Sequence, residues 1–397
     1  MWSGIAAILI FTPIARGAVR TWSIMPVLFT EAILIFTWLW RANNIQGYLF
    51  KKTAFDRLIA SLVFLAGLSF IFSIYKHDSF FALITLLGYI GIYYLILNEF
   101  DSRMIRRLLY IVISICSGLS LYGILQYLNV LDHSWWISDR FLAATFVNHN
   151  HFAGYLELVI PLTIGAMLEK GAKSRLILTM ALIFMTTAFI LTQSRGGWIS
   201  LGIALFIMGI VIIGKSRRDK KNILILIVFI GFITAMIYFA KDAIAPRIET
   251  IVSMEVKEAS FDSRLKIWAG TIEMIGERPL LGTGIGTFIW AFPTYRPQGL
   301  NARANFAHND YLNIAAEIGI PAAIIIIWLI IAAVRAGLSK INFRFQTVGC
   351  SIGILSVALH GLVDFNFHIL SNMLLFIIYI AVVTGDYDSF KRTDDNA

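Results

Sequence analysis

Apolar runs of about 20 residues recur from one end of the chain to the other, broken by short polar connections, and no other feature constrains the fold as strongly. A run of that length crosses the hydrocarbon core of a bilayer as a helix. Only helices and closed barrels satisfy their backbone polar groups in lipid, and barrel strands alternate in polarity, which these runs do not. The sequence is that of an all-α polytopic membrane protein. Its charged fraction, 14% against 58% hydrophobic residues, is well under the roughly 25% of a soluble domain.

Twelve transmembrane helices are expected, at residues 1–15, 23–40, 57–75, 79–98, 105–130, 151–168, 176–193, 197–214, 222–240, 310–334, 346–364 and 369–385, in one membrane domain covering 1–397. Residues 1–15 lack a basic start and read as a first membrane helix rather than a cleaved signal. Basic residues cluster in alternate connections: Arg41, Lys51, Lys52 and Arg57; Arg103, Arg106 and Arg107; Lys170, Lys173 and Arg175; "KSRRDKK" at 215–221; and Arg335, Lys340 and Arg344. By the positive-inside rule these loops and both termini are cytoplasmic. The net charge of +9 is thus a topology signal, and no nucleic-acid partner is implied. Cys116 and Cys350 fall inside apolar runs, which leaves no disulfide or zinc framework.

Residues 241–309 break the pattern of short connections and form a long loop on the outer side, between the ninth and tenth spans. Loops longer than about 15 residues are usually functional or disordered, and this one is too rich in Trp, Phe, Tyr and Pro for disorder. Within it "DSRLKIWAGTIEMIGERP" places Leu265, Trp268, Ile272 and Ile275 on one stripe, ended by Pro279. That is an amphipathic helix able to lie on the outer membrane surface. "GTGIGTF" at 282–288 has the glycines of a nucleotide loop without the strand before it, and reads as a turn or a close backbone approach.

The polar residues of interest collect at the outer side. Arg195 stands in the outer turn between spans seven and eight, Arg264 on the amphipathic helix, His308 before span ten, and "NHNHF" (148–152) at the start of span six. Each has two readings. Arg195 is either a snorkelling turn arginine, with Gly196 and Gly197 allowing a tight turn, or a ligand for an anion. Arg264 is a solvated charge or a second anion ligand, and His308 either helps to cap a helix beside Asn309 and Asp310 or accepts a proton. Asn148 and Asn150 are helix caps or donors to a ligand. His149 and His151 have no carboxylate cluster beside them, so a metal site is not expected. Glu31, Glu157 and Glu317 lie within spans, where ionisable groups are costly. One of them is expected to orient an arginine or His308.

"ATFVNHNHFAGYL", "LTQSRGGWISL", "DSRLKIW", "ERPLLGTGIGTF" and "AHNDYLNIAAEIG", in this order, resemble the O-antigen ligase and polymerase family of bacterial envelope glycosyltransferases. "LHGLVDFNFHI" at 359–369 resembles the end of many members, and the likeness spans residues 140–370. The resemblance implies an inner-membrane enzyme with a periplasmic active site. It would move a glycan from an undecaprenyl diphosphate carrier to an acceptor hydroxyl, inverting the anomeric carbon, with no metal or other cofactor. For a ligase the acceptor is a sugar of the lipid A core; for a polymerase it is another carrier-linked glycan; for a protein O-oligosaccharyltransferase it is a protein.

Mapped residue by residue, the resemblance gives catalytic roles to Arg195, Arg264 and His308. It gives substrate binding to Asn148, Asn150, His151, Asn309 and Trp198, and supporting roles to Glu157 and Glu317. His149 occupies a place the family leaves variable. The runner-up from another class is a transporter, which would gather its polar groups near the bilayer midplane rather than at one face.

Overall fold

The computed structural model describes residues 1–131, 141–169, 171–215, 259–300, 303–339 and 345–387, with three isolated positions between 231 and 238. The expected ninth span at 222–240 lies essentially outside the described residues, as does the first part of the long loop. Within the described residues the chain is all-helical. The helices are α1 (Trp2–Ile14), α2 (Thr21–Asn44), α3 (Asp56–Ile71), α4 (Lys76–Glu99), α5 (Ser102–Tyr127), α6 (His149–Glu169), α7 (Ala172–Leu191) and α8 (Arg195–Lys215). They continue as α9 (Ala259–Glu277), α10 (Phe288–Ala291), α11 (Asp310–Ile318), α12 (Ile320–Ser339), α13 (Phe345–His360) and α14 (Leu370–Thr384).

Seven of these helices are long and apolar enough to cross a membrane, namely α2, α4 to α8 and α12. α1, α13 and α14 are apolar but shorter. The peripheral helices carry lipid-facing stripes: Phe29, Phe36 and Trp40 on α2 and Ile199, Phe206 and Ile210 on α8 are all more than half exposed. α6 has no such stripe, because its spanning residues are all buried and the rest of the bundle surrounds it.

The closest packing joins α6 to α13. A methyl on Gly349 would stand 2.5 Å from the Pro161 carbonyl oxygen and 2.7 Å from Leu162 Cα, and one on Gly353 would stand 2.8 Å from the Leu158 carbonyl oxygen. In lipid, where water does not drive helices together, two glycines one turn apart let the backbones touch and gain dispersion contact.

The expected span at 310–334 is two helices rather than one. Gly319 adopts φ +102°, and a side chain there would run into the Leu280 carbonyl. The Ile320 amide donates to the Pro279 carbonyl at 2.8 Å, so the break admits the chain that follows α9. The same arrangement accounts for the glycines of 282–288. Gly282, Gly284 and Gly286 all have positive φ, and their faces press on the Glu317 backbone, Ser73 and Ala82. This is a threaded loop rather than a nucleotide cradle.

Basic residues at the end of α2 and in the connection between α2 and α3 lie at the end of the bundle away from that loop. There Arg41 pairs with Glu99 at 3.7 Å, and Lys51 Nζ donates to the Leu97 carbonyl at 2.7 Å.

Candidate active site

The connection after α13, residues 361–369, gathers the other elements at one end of the bundle. The Asp310 amide donates to the Gly361 carbonyl at 2.8 Å, and Asn309 Nδ2 donates to the Leu362 carbonyl at 2.9 Å, which bring in the start of α11. Asn372 at the start of α14 donates from Nδ2 to the His151 carbonyl at 2.9 Å and to Asn366 Oδ1 at 3.1 Å, which ties α6 to the connection.

Asp364 is the centre of this cluster. Its side chain is 3% exposed, with Oδ2 3.8 Å from Arg264 Nη2 and Oδ1 3.6 Å from His308 Nδ1. Burial disfavours the charged carboxylate, but His308 and the charges of His360, His151 and Arg264 outweigh it and hold the group well below the usual carboxylate range. Phe365 provides the surface beside it. His308 and His151 meet its ring edge-on at 4.8 and 5.0 Å, and Phe306 stacks on it at 4.8 Å.

α9 carries Arg264 one turn before Trp268, whose Nε1 lies 3.4 Å from the His308 carbonyl oxygen. The helix was expected over this stretch, but with a different inner face. Ile267, Gly270, Thr271 and Met274 are buried, whereas Leu265 and Ile272 of the expected stripe are exposed. Gly270 is part of the reason, since its missing side chain lets the Tyr295 carbonyl approach and leaves this face the closer-packing one.

His308 itself has φ +50°, a left-handed conformation that few residues with a side chain adopt. It is not the cap of α11. Asn309 takes that role, its Oδ1 accepting from the Tyr311 and Leu312 amides at 3.0 Å each. With Nδ2 on Leu362, the Asn309 side chain is committed to the fold on both its atoms.

Arg195 is the first residue of α8 and is not in the turn before it. Gln193 takes the positive φ of the connection (+53°), and Ser194 Oγ accepts the Gly197 amide at 3.3 Å. Gly196 and Gly197 are therefore helical, and their smallness has another cause. A methyl on Gly196 would stand 2.8 Å from Val363 Cγ2 and 2.9 Å from His360 Cδ2; one on Gly197 would stand 2.9 Å from Glu157 Oε1. The start of α8 is thereby set against the residue that precedes Asp364. A helix N-terminus carrying an arginine is a strong attractor for an anion.

The remaining expected residues divide. Asn148 Oδ1 accepts the Asn150 amide at 2.8 Å, as a helix cap does, and Asn150 stays half-exposed. His151 is buried with both ring nitrogens unpartnered within hydrogen-bonding distance, whereas His149 Nδ1 lies 2.7 Å from the Thr192 carbonyl oxygen with its ring stacked on Phe141. Trp198 is buried in the core, Nε1 3.4 Å from the Phe189 carbonyl oxygen. Glu317 holds the glycine-rich loop, accepting the Gly286 and Phe288 amides at 3.0 and 2.9 Å. Glu157 accepts from Ser200 and Ser356 and meets His360.

The carboxylate that reaches Arg264 and His308 is thus Asp364, which the choice among Glu31, Glu157 and Glu317 omitted. Its signal was present in "LHGLVDFNFHI", a polar His, Asp, Asn and His series between two apolar helices. Below this cluster an apolar cavity of about 380 Å³ runs between α3, α4, α11, α12 and α14. It is lined by Leu62, Leu86, Ile314, Leu329 and Phe376 and reaches Gly286, Glu317 and His368.

Residues 180–327 match the family model described as O-antigen ligase, a stretch that includes Arg195, Arg264 and His308. Over this stretch, which is less than half of the chain, the sequence resembles the O-antigen ligase family. Of the cluster around the family's stretch, Asp364, Phe365 and the α6 residues lie outside the matched residues and are joined to it only by the fold. An uncharacterized protein of Haemophilus influenzae is 25% identical over 219 residues, covering 51% of this chain and 53% of that protein. The chain spans about half the length of this relative.

Proposed function

We propose that the protein is a bacterial inner-membrane glycosyltransferase that moves a glycan from undecaprenyl diphosphate to an acceptor hydroxyl at the periplasmic face. The observation that carries this reading is the placement of Arg264 and His308 on the two oxygens of one buried carboxylate, Asp364, beside the helix that Arg195 opens. Asp364 Oδ1 faces Nδ1 of His308 at 3.6 Å, and we assign the other ring nitrogen, Nε2, to the substrate. That nitrogen takes the proton from the acceptor hydroxyl as its oxygen bonds to the anomeric carbon. The bond from that carbon to the diphosphate breaks, its electron pair goes to the diphosphate, and the configuration inverts.

The growing charge on the leaving group falls to the forks of Arg195 and Arg264, in place of a divalent metal. The apolar cavity suits the polyprenyl chain, being lined by side chains without charge apart from His368 and Glu317. Ligase-like transfer to a lipid A core sugar is the reading we favour; polymerase and protein O-oligosaccharyltransferase activity use the same donor chemistry.

The test is reconstitution in proteoliposomes with undecaprenyl diphosphate-linked glycan, a lipid A core acceptor and excess EDTA. Release of undecaprenyl diphosphate with extension of the acceptor is expected. No transfer with any of the three acceptor classes would refute the reading, and a requirement for a divalent cation would refute the metal-free chemistry.

A further inference from the structure

Beneath Arg195 and Asp364 lies a charged network that the reaction outlined above does not use. Glu157 on α6 and His360 at the end of α13 are both essentially inaccessible, with Nδ1 of His360 2.6 Å from Oε1 of Glu157. Oε2 accepts from Ser200 Oγ on α8 at 2.7 Å and from Ser356 Oγ on α13 at 2.8 Å. Three helices meet on one carboxylate. Removing such a pair from water costs several kcal/mol per ion, and apolar packing of the same volume would often stabilise as well. Stability alone is therefore a weak reason for its presence.

Geometry supplies a stronger one. The first turn of α8 lies directly on the pair, Gly196 against the His360 ring and Gly197 against the Glu157 carboxylate, each at a distance that leaves no room for a methyl group. The Val363 and Asp364 amides both donate to the His360 carbonyl, at 2.9 and 3.1 Å. His360 thus fixes the Asp364 turn through its backbone and the start of α8 through its ring.

We propose that Glu157 and His360 form a positioning pair that sets Arg195 at its working distance from Asp364, with Gly196 and Gly197 as the contact surface. The pair touches no substrate. It acts by fixing the height of α8 relative to α6 and α13, and so aligns the arginine at the head of α8 with the carboxylate that holds Arg264 and His308. The consequence for catalysis rests on the glycosyl-transfer reading; the geometric consequence does not.

Glu157→Gln keeps the size of the side chain and its acceptor for the serines, but loses the charge that fixes the imidazole. We expect its melting temperature in detergent to match the wild type, with kcat lower by about 10- to 100-fold and KM for undecaprenyl diphosphate-linked glycan within about 3-fold. An unchanged kcat, or a kcat and melting temperature that fall together, would overturn the proposal.

Gly196→Ala gives a second route if that variant folds poorly. The added methyl should lower kcat by a similar factor, and Val363→Ala in the same chain should recover at least about 3-fold of it by removing one of the atoms struck. Failure of the second change to recover any activity counts against the contact surface.

A third measurement needs no activity. Cysteines at Gly196 and Val363 should form a disulfide readily in the otherwise native chain, and several-fold more slowly when Glu157→Gln is added. Equal rates would overturn the proposal. A Glu157-dependent rate in a protein that transfers no glycan would uphold the positioning pair and refute the function.

Discussion

His308 Nδ1 faces Asp364 Oδ1 at 3.6 Å, with the histidine backbone held at φ +50°. The left-handed backbone and the buried carboxylate together fix which ring nitrogen is turned toward the fold, as an orienting carboxylate does for a general base. Asp364→Asn should lower glycan transfer by about 10²- to 10³-fold while the protein stays in the membrane, because the amide can neither pair with Arg264 nor stabilise an imidazolium. Transfer within a few-fold of the wild type would remove Asp364 from the mechanism.

Arg195 and Arg264 stand on different helices, α8 and α9. If each supplies a fork to the diphosphate, Arg195→Ala and Arg264→Ala should each cost about 10²-fold or more in kcat/KM, and lysine should rescue only part of it because it offers a point charge rather than a planar fork. Single-turnover assays in vesicles check this. Full activity of both lysine variants would argue for charge alone.

The lowered pKa of Asp364 has a consequence for pH. A carboxyl that titrates lower in the folded chain than in the unfolded chain contributes stability above its unfolded value of about 3.9, and loses it only as pH falls toward the folded value. The difference in melting temperature between the wild type and Asp364→Asn should therefore not shrink between about pH 8 and about pH 5, where protonation of the neighbouring histidines can only add to it, and should shrink only in stronger acid. Thermal unfolding in detergent across that range measures it, and curves that converge near pH 5 would contradict the sign.

Gly349 and Gly353 let α13 lie on α6, and with it place the whole connection that bears Asp364. Gly353→Leu should destabilise by about 1–3 kcal/mol or more through forced separation of the helices, and should lower activity by moving the Asp364 loop. A variant with native melting temperature would show that the contact gives way easily.

The expected topology can be checked by labelling cysteines from outside intact cells. Positions in 282–300 should react with a membrane-impermeant maleimide only after the outer membrane is opened, and positions in the Arg103 to Arg107 connection only after the inner membrane is breached. The reverse order would turn the protein over.

Hydropathy by itself determined that this chain is a helical membrane protein, because a bilayer leaves a chain of long apolar runs no other way to satisfy its backbone. Spacing and sidedness placed Arg195, Arg264 and His308 at one end, and local pattern found the helix that carries Arg264. Composition could not decide which face of that helix turns inward, since Leu265 and Ile272 are as apolar as Ile267 and Met274, and the close approach at Gly270 belongs to the tertiary packing.

The partner of the arginine and the histidine was equally out of reach. Asp364 is 56 residues beyond His308 (364 − 308) and 100 beyond Arg264 (364 − 264), and a carboxylate's reach across a bundle depends on how the helices pack. The glycines after Arg195 make the same point. In sequence they signal a turn; in the folded chain they lie within a helix and are small because a buried glutamate of α6, a histidine of α13 and a valine of the connection after α13 occupy the space where their side chains would be.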